Sequence, residues 1–476
     1  MKKFLFVSLP KHDLSPSAAI GALNGVALNF NCETEIIDFS SIIRYNLTDE
    51  EFEDLDNWLM FIKEDISNTI VQKICSLWSE TVEKKQLNFD YVCISVFTYW
   101  SLNIARLLLE YHNRIPRTTQ IIVGGCGCSS EFPDTRIRFS AWCEDLVDGI
   151  CLEQDGEQYI ANIINAQVDY NNDISLYPIP NYNGFDFNNY DTNKIYITGS
   201  KGCVRNCTFC DVAALWPKFR YRKATNLVQE IKEQFYNYGT TIFDFTDSLI
   251  NGSVSNFYKF NCLLAEEKEK DKSLKDIRYT GQAICRPRNQ MPPSHYEAMY
   301  YGGCDQVTIG IESFSQDVRY HMKKKFSNTD IDYHIEQSSY YDISNIWLMI
   351  VGYPTETIKD HEENLKALDR YAKYAKNGTL ELIHWGYTMI FLEDTPITTI
   401  KYMKELEIYN DDTLISQGNL GGFYTWGSYL NPTNTLRERI RRRVELHEKS
   451  IELGYSQPRV KQELNSLLKI AEQIHG

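Results

Sequence analysis

Three cysteines are the residues in this sequence best placed to do chemistry. Cys203, Cys207 and Cys210 stand four and then three positions apart in the stretch Gly199-Ser-Lys-Gly-Cys203-Val-Arg-Asn-Cys207-Thr-Phe-Cys210-Asp211. Three thiolates on so short a loop can share one small inorganic body, and they suit a cubane iron–sulfur cluster with one iron lacking a protein ligand. An iron with an open position can bind and reduce a further molecule. Two other chemistries compete. A structural zinc site asks for four ligands, and the next cysteine, Cys262, is distant with no histidine nearby. A redox dithiol is mimicked by Cys207 and Cys210 alone, which leaves Cys203 surplus.

The loop follows an apolar run, Ile195-Tyr196-Ile197, that reads as a strand. Before it, short strands alternate with helices: Phe4–Leu9, Glu35–Phe39, Tyr91–Thr98, Gln120–Gly125 and Leu146–Ile150 as strands, Ser17–Asn29 and Leu102–His112 as helices. That alternation predicts a doubly wound parallel sheet over residues 1–165, with a long helical insertion across Asp49–Lys85. In such a sheet ligands gather beyond the carboxyl ends of the strands. Gly124 and Gly125 lie there; they admit close approach of a ligand, or make a plain tight turn. Residues 166–194 are rich in Asn, Asp, Tyr and Pro and read as an extended linker. From 195 to 395 further strand–helix units follow, with strands expected at Thr241–Thr246, Ile277–Ala283, Gln306–Ile311, Asn345–Val351 and Leu382–Ile390. Residues 396–476 read as mostly helical, and the basic run Arg437–Arg443, alternating with glutamates, as a solvated face.

Composition narrows the function classes. The 476 residues suffice for two or three cores, and the charge of −15 argues against general nucleic-acid or anionic-membrane binding. Thirteen irregularly spaced cysteines are not a disulfide framework and point to a reducing cytoplasm. Cys126, Cys128, Cys143 and Cys151 read as partly buried free thiols, their spacing being no zinc pattern. The N-terminal apolar run is too short for a signal peptide and stops at Pro10, and none is long enough to cross a membrane.

The loop resembles the radical SAM signature C-x-x-x-C-x-aromatic-C, with Phe209 in the aromatic place. The resemblance extends to about residue 390, and it implies a partial (β/α)6 barrel whose site lies at the strand ends. It places Asp247 near the methionyl amine of S-adenosylmethionine (SAM), Arg286 on its carboxylate, Glu312 and Ser313 near its ribose or amino group, and Gly352 close to adenine. Asp247 as a helix cap and Arg286 in a surface ion pair are the competing readings. Residues 1–165 are similar to the cobalamin-binding domain that precedes the barrel in many members, through Gly21, Asp38, Gly124-Gly125 and Asp155-Gly156-Glu157. Here His12-Asp13 replaces the Asp-x-His-x-x-Gly of members that ligate cobalt through histidine.

The implied cofactors are a 4Fe–4S cluster held by Cys203, Cys207 and Cys210, SAM, and cobalamin. The implied reaction is reductive cleavage of SAM to a deoxyadenosyl radical in a cobalamin-dependent methyltransferase acting on an unactivated carbon. The substrate would be a small molecule or biosynthetic intermediate, and the electron donor a flavodoxin or ferredoxin. A cobalamin-independent enzyme performing rearrangement, oxidation or epimerisation is the alternative, with a redox-sensing iron–sulfur protein last. No cysteine follows Cys304, which argues against a C-terminal auxiliary cluster and against methylthiolating members.

Overall fold

The computed structural model describes all residues except 11–14, 61–62, 64, 113–117, 133–134, 136, 153–154, 191, 387, 393–394, 411–425, 456–463 and 466–476. His12 and Asp13 therefore lie outside the described residues. The chain forms two compact units: Met1–Tyr196 with Gln229–Ile242, and Ile197–Val228 with Phe243–Gly476.

The first unit is built on five parallel strands, β1 (Lys3–Ser8), β2 (Glu33–Asp38), β3 (Tyr91–Ser95), β4 (Gln120–Gly124) and β5 (Gly149–Cys151), in the order β2-β1-β3-β4-β5. This is a doubly wound order with its switch point between β1 and β3. Phe4, Leu5, Phe6 and Val7 are all fully buried, because helices cover both faces of such a sheet and every position of a central strand must be apolar. The insertion is two helices rather than one. Asp49–Leu59 begins in a capping box of Thr48 and Glu51, and a second start is capped by Ser67 before Asn68–Trp78. The segment 166–194 is not a free tether: Tyr170 and Tyr182 are buried, and Tyr190 donates to Asp38 at the end of β2.

The second unit carries a six-stranded sheet formed with β6 (Lys194–Ile197), in which the unit boundary falls. Two short strands, β7 (Ser200–Lys201) and β8 (Arg220–Tyr221), pair antiparallel around the cysteine loop. The sheet continues with β9 (Ile242–Phe245), β10 (Arg278–Ala283), β11 (Cys304–Glu312), β12 (Ser344–Met349) and β13 (Leu380–His384), in the order β13-β12-β11-β10-β9-β6. Strands β10 to β13 pair in parallel, and their sequential order is that of an open (β/α)6 barrel. Residues beyond 396 add an antiparallel pair, β14 (Ile408–Asn410) and β15 (Trp426–Ser428), and the helix Leu436–Leu453. That helix is not a solvated face. Arg439, Arg442 and Arg443 are all buried, so the basic run is half core. Among the described residues no helix is long and apolar enough to cross a membrane.

Candidate active site

The cysteine loop is fixed at both ends by side chains from strand ends. At its start, Asp247, just past β9, accepts the backbone N–H of Gly199 at 2.7 Å. It is neither a helix cap nor aimed away from the loop. Burial pushes its carboxyl up to about 7, against the Ser200 hydroxyl, the Gly199 N–H and the Arg222 charge. Gly199 has no room for a side chain, since a Cβ there would sit 2.9 Å from the Phe245 ring. At the far end, the Thr208 hydroxyl lies 2.9 Å from the Tyr353 hydroxyl, and the Thr208 backbone bonds Met322 O at 3.1 Å and Ile397 N at 2.7 Å.

Cys203 and Cys207 stand between these anchors and Cys210 follows just after the second; none is in a disulfide, Cys207 is buried, and Cys203 and Cys210 are partly so. Burial pushes the Cys210 thiol up to about 11, the Val212 N–H opposing, and raises Cys207 against the pull of Lys324. Metal binding must displace those protons. Among the described residues no three His, Cys, Asp or Glu side chains converge as ligands for a single metal ion. A four-iron cube is larger than one ion and takes one thiolate per corner, so its three ligands stand apart.

Glu312 ends β11 where the register with β12 shifts, and it holds φ +69°, a left-handed conformation unusual for glutamate. Its carboxylate accepts Lys324 Nζ at 2.8 Å, and the same ammonium donates to Gly310 O at 2.9 Å and lies 5.7 Å from the centre of the Phe209 ring. Burial works against the Lys324 charge, but Glu312 and the Cys207 thiol outweigh it and its pKa rises. Sequence reasoning missed Lys324, which is one of three consecutive lysines and has no distinguishing neighbour.

Arg286, buried beyond β10, donates to the carbonyls of Asn251 at 2.9 Å and Gly252 at 3.1 Å, so it is no surface ion pair. Its Nε is buried without a partner. Ser313 is fully buried and spent inside the fold: it meets Asn364 at 3.4 Å and accepts the Ser315 N–H at 3.2 Å. Gly352 (φ +82°) lacks a Cβ because Arg439 occupies the place, its Cδ 2.2 Å from where a Cβ would stand.

In the first unit, Gly125 (φ +111°) packs on Val96, whose carbonyl would be 2.5 Å from a Cβ, and Gly124 packs on Cys151. The tight turn thus accounts for both glycines. Beside it, at the carboxyl end of β3, Phe97 is exposed and the Thr98 hydroxyl is buried with no partner. Cys128, Cys143 and Cys151 are buried and outside any disulfide, and Cys126 is exposed.

Residues 197–368 match the family model of the Radical SAM superfamily. The chain carries a radical SAM domain. This domain implies a 4Fe–4S cluster and SAM, and its residues fit both: three unpaired thiols on one loop, and an orphaned guanidinium N–H beside it. Two solved structures share the fold at 14% identity. TsrM, a radical SAM methyltransferase from Kitasatospora setae with tryptophan and a SAM analogue bound, aligns over 86% of this chain and 79% of its own at TM-score 0.59. OxsB, a cobalamin-dependent SAM radical enzyme, aligns over 100% and 71% at TM-score 0.63. Among curated proteins, the uS12 methylthiotransferase RimO of Clostridium botulinum is 28% identical over 190 residues, 37% of this chain and 40% of its own length. A protein of Methanocaldococcus jannaschii, provisionally named a methylthiotransferase, is 24% identical over 44% of this chain and 45% of its own length. The chain thus spans under half the length of either curated relative.

Proposed function

We propose that this protein is a cobalamin-dependent radical SAM methyltransferase that acts on an unactivated carbon of a small molecule in the cytoplasm, with electrons from a flavodoxin or ferredoxin. One observation carries the reading: a loop of three unpaired cysteines is held at the strand ends of a (β/α)6 sheet, in a chain whose other sheet leaves an orphaned hydroxyl at its switch point. The cluster, when bound, supplies the electron that breaks a carbon–sulfur bond of SAM. Cys203, Cys207 and Cys210 would hold it. The Arg286 guanidinium would receive the SAM carboxylate through the Nε–H that now donates to nothing. Lys324 holds the Glu312 carboxylate in place, and Asp247 fixes the loop's entry. In the first unit, Phe97, the Thr98 hydroxyl and the backbone at Gly124-Gly125 would receive cobalamin.

The test is anaerobic reconstitution followed by incubation with SAM, cobalamin and a reductant. The expected result is about four irons per chain, cobalamin retained on desalting, deoxyadenosine formed, and a product heavier by a methyl group. Deoxyadenosine without cobalamin retention or methylation would favour the cobalamin-independent alternative, to which the internally satisfied glycine turn also lends support. A methylthiolated product would move the protein to the chemistry named for its curated relatives.

A further inference from the structure

The turn after β12, Gly352–Glu356, is held almost wholly by the C-terminal segment. Asn434 Nδ2 donates to the carbonyls of Gly352 at 3.3 Å and Tyr353 at 2.9 Å, and Asn431 Nδ2 to those of Pro354 at 3.0 Å and Glu356 at 2.8 Å. The Glu356 carboxylate closes the turn by accepting the Gly352 N–H at 3.0 Å, and its other oxygen accepts Arg442 Nη1 at 3.0 Å. Arg439 fills the volume beside Gly352 while its guanidinium lies 3.9 Å from the centre of the Trp426 ring. Glu356, Arg439 and Arg442 are at most 1% exposed, so the pairing is not screened by solvent.

This turn also reaches the cysteine loop. Tyr353, 1% exposed, extends from it to the hydroxyl of Thr208, which lies directly after Cys207. A continuous set of buried contacts therefore runs from Arg442 through Glu356, Gly352 and Tyr353 to Thr208. A single buried pair at one end can fix a loop at the other only when each intermediate group has one arrangement, and here each is bonded on both sides.

We propose that the C-terminal helix is a brace for the cysteine loop, with Arg442 and Tyr353 as positioning residues that slow loss of iron from the cluster. This rests on the reading that Cys203, Cys207 and Cys210 hold a cluster. It requires no contact between the tail and any bound group. The tail would thus be part of the site although it supplies none of the three cysteines.

The test uses the full-length chain, reconstituted anaerobically, and follows iron release to a chelator without SAM present. Tyr353→Phe removes one hydroxyl and should speed release about fivefold, the effect of one buried hydrogen bond. Arg442→Met should do the same or more, and Arg442→Lys should restore part of the loss. Because the contacts are in series, the double variant should release iron no faster than the faster single variant. Parental release rates for Tyr353→Phe, or rates that multiply in the double variant, overturn the proposal. If the parent binds no iron, the reading of the site fails, and the brace is judged separately in cluster-free protein. There, alkylation of the buried Cys207 thiol should be faster in Arg442→Met and Tyr353→Phe than in the parent, and equal rates overturn the brace.

Discussion

The two units put polar groups at the same architectural place, the carboxyl ends of parallel strands, and use them differently. In the first unit Asp38, at the end of β2, accepts hydroxyls from Ser8, Ser41 and Tyr190, and Gly125 packs on Val96. Those groups satisfy one another. In the second unit Asp247, Lys324 and Tyr353, from three different strand ends and helices, all act on the one loop that holds three thiols. Strand ends become a reactive site when their side chains are spent on holding something rather than on closing the fold. The cost in the second unit is visible at the strand ends: a left-handed glutamate, a buried carboxylate near neutral pKa, and an orphaned arginine N–H.

The largest effect that would break this contrast is loss of the cluster itself. Cys203→Ala should abolish iron binding and SAM cleavage, whereas Cys151→Ser in the first unit should leave the iron content of the reconstituted protein unchanged. Next comes Lys324→Met, which leaves Glu312 buried without its cation. It should lower stability by about 3–5 kcal/mol, read from urea unfolding of the cluster-free chain; a loss below 1 kcal/mol would mean Glu312 finds water.

Asp247 gives a pH signature of opposite sign to an ordinary ion pair. Its carboxyl holds its proton to about 7 when folded and releases it from 3.8 upward when unfolded. Between these values the native state binds more protons, so stability falls as pH rises from about 4 to 7 and then levels. The burden is at most on the order of 4 kcal/mol. Asp247→Asn, which keeps an acceptor for the Gly199 N–H, should flatten that slope in the cluster-free protein; an unchanged slope would assign it to other groups. The smallest effect is in the first unit. Gly125→Ala forces φ +111° on alanine against the Val96 carbonyl and should cost about 1–3 kcal/mol in thermal unfolding, with iron content unaltered.

Much of this was readable beforehand, for physical reasons that vary by region. The strands declared themselves because buried parallel strands must be continuously apolar, as Phe4–Val7 and Ile121–Val123 are. The cysteine loop stood out because three thiols so closely spaced are rare outside a shared inorganic ligand. The direction of side chains was not. Ser313 and Gly352 stand at the expected strand ends, yet one is turned into the fold and the other makes room for Arg439. The tail was misread for a related reason: arginines alternating with glutamates have the same pattern whether they face water or a buried carboxylate, and Glu356, the partner that buries Arg442, lies 86 residues away. Tyr190 and Tyr182 likewise sit in a segment of linker composition and are held by distant partners.

The central claim is that Cys203, Cys207 and Cys210 hold a cluster with one iron open to SAM. The most direct measurement is the electron paramagnetic resonance spectrum of the reduced, reconstituted protein before and after addition of SAM. The account predicts a cluster signal that changes shape when SAM is added and is missing in Cys207→Ala. A signal indifferent to SAM, or one that survives Cys207→Ala, would contradict it.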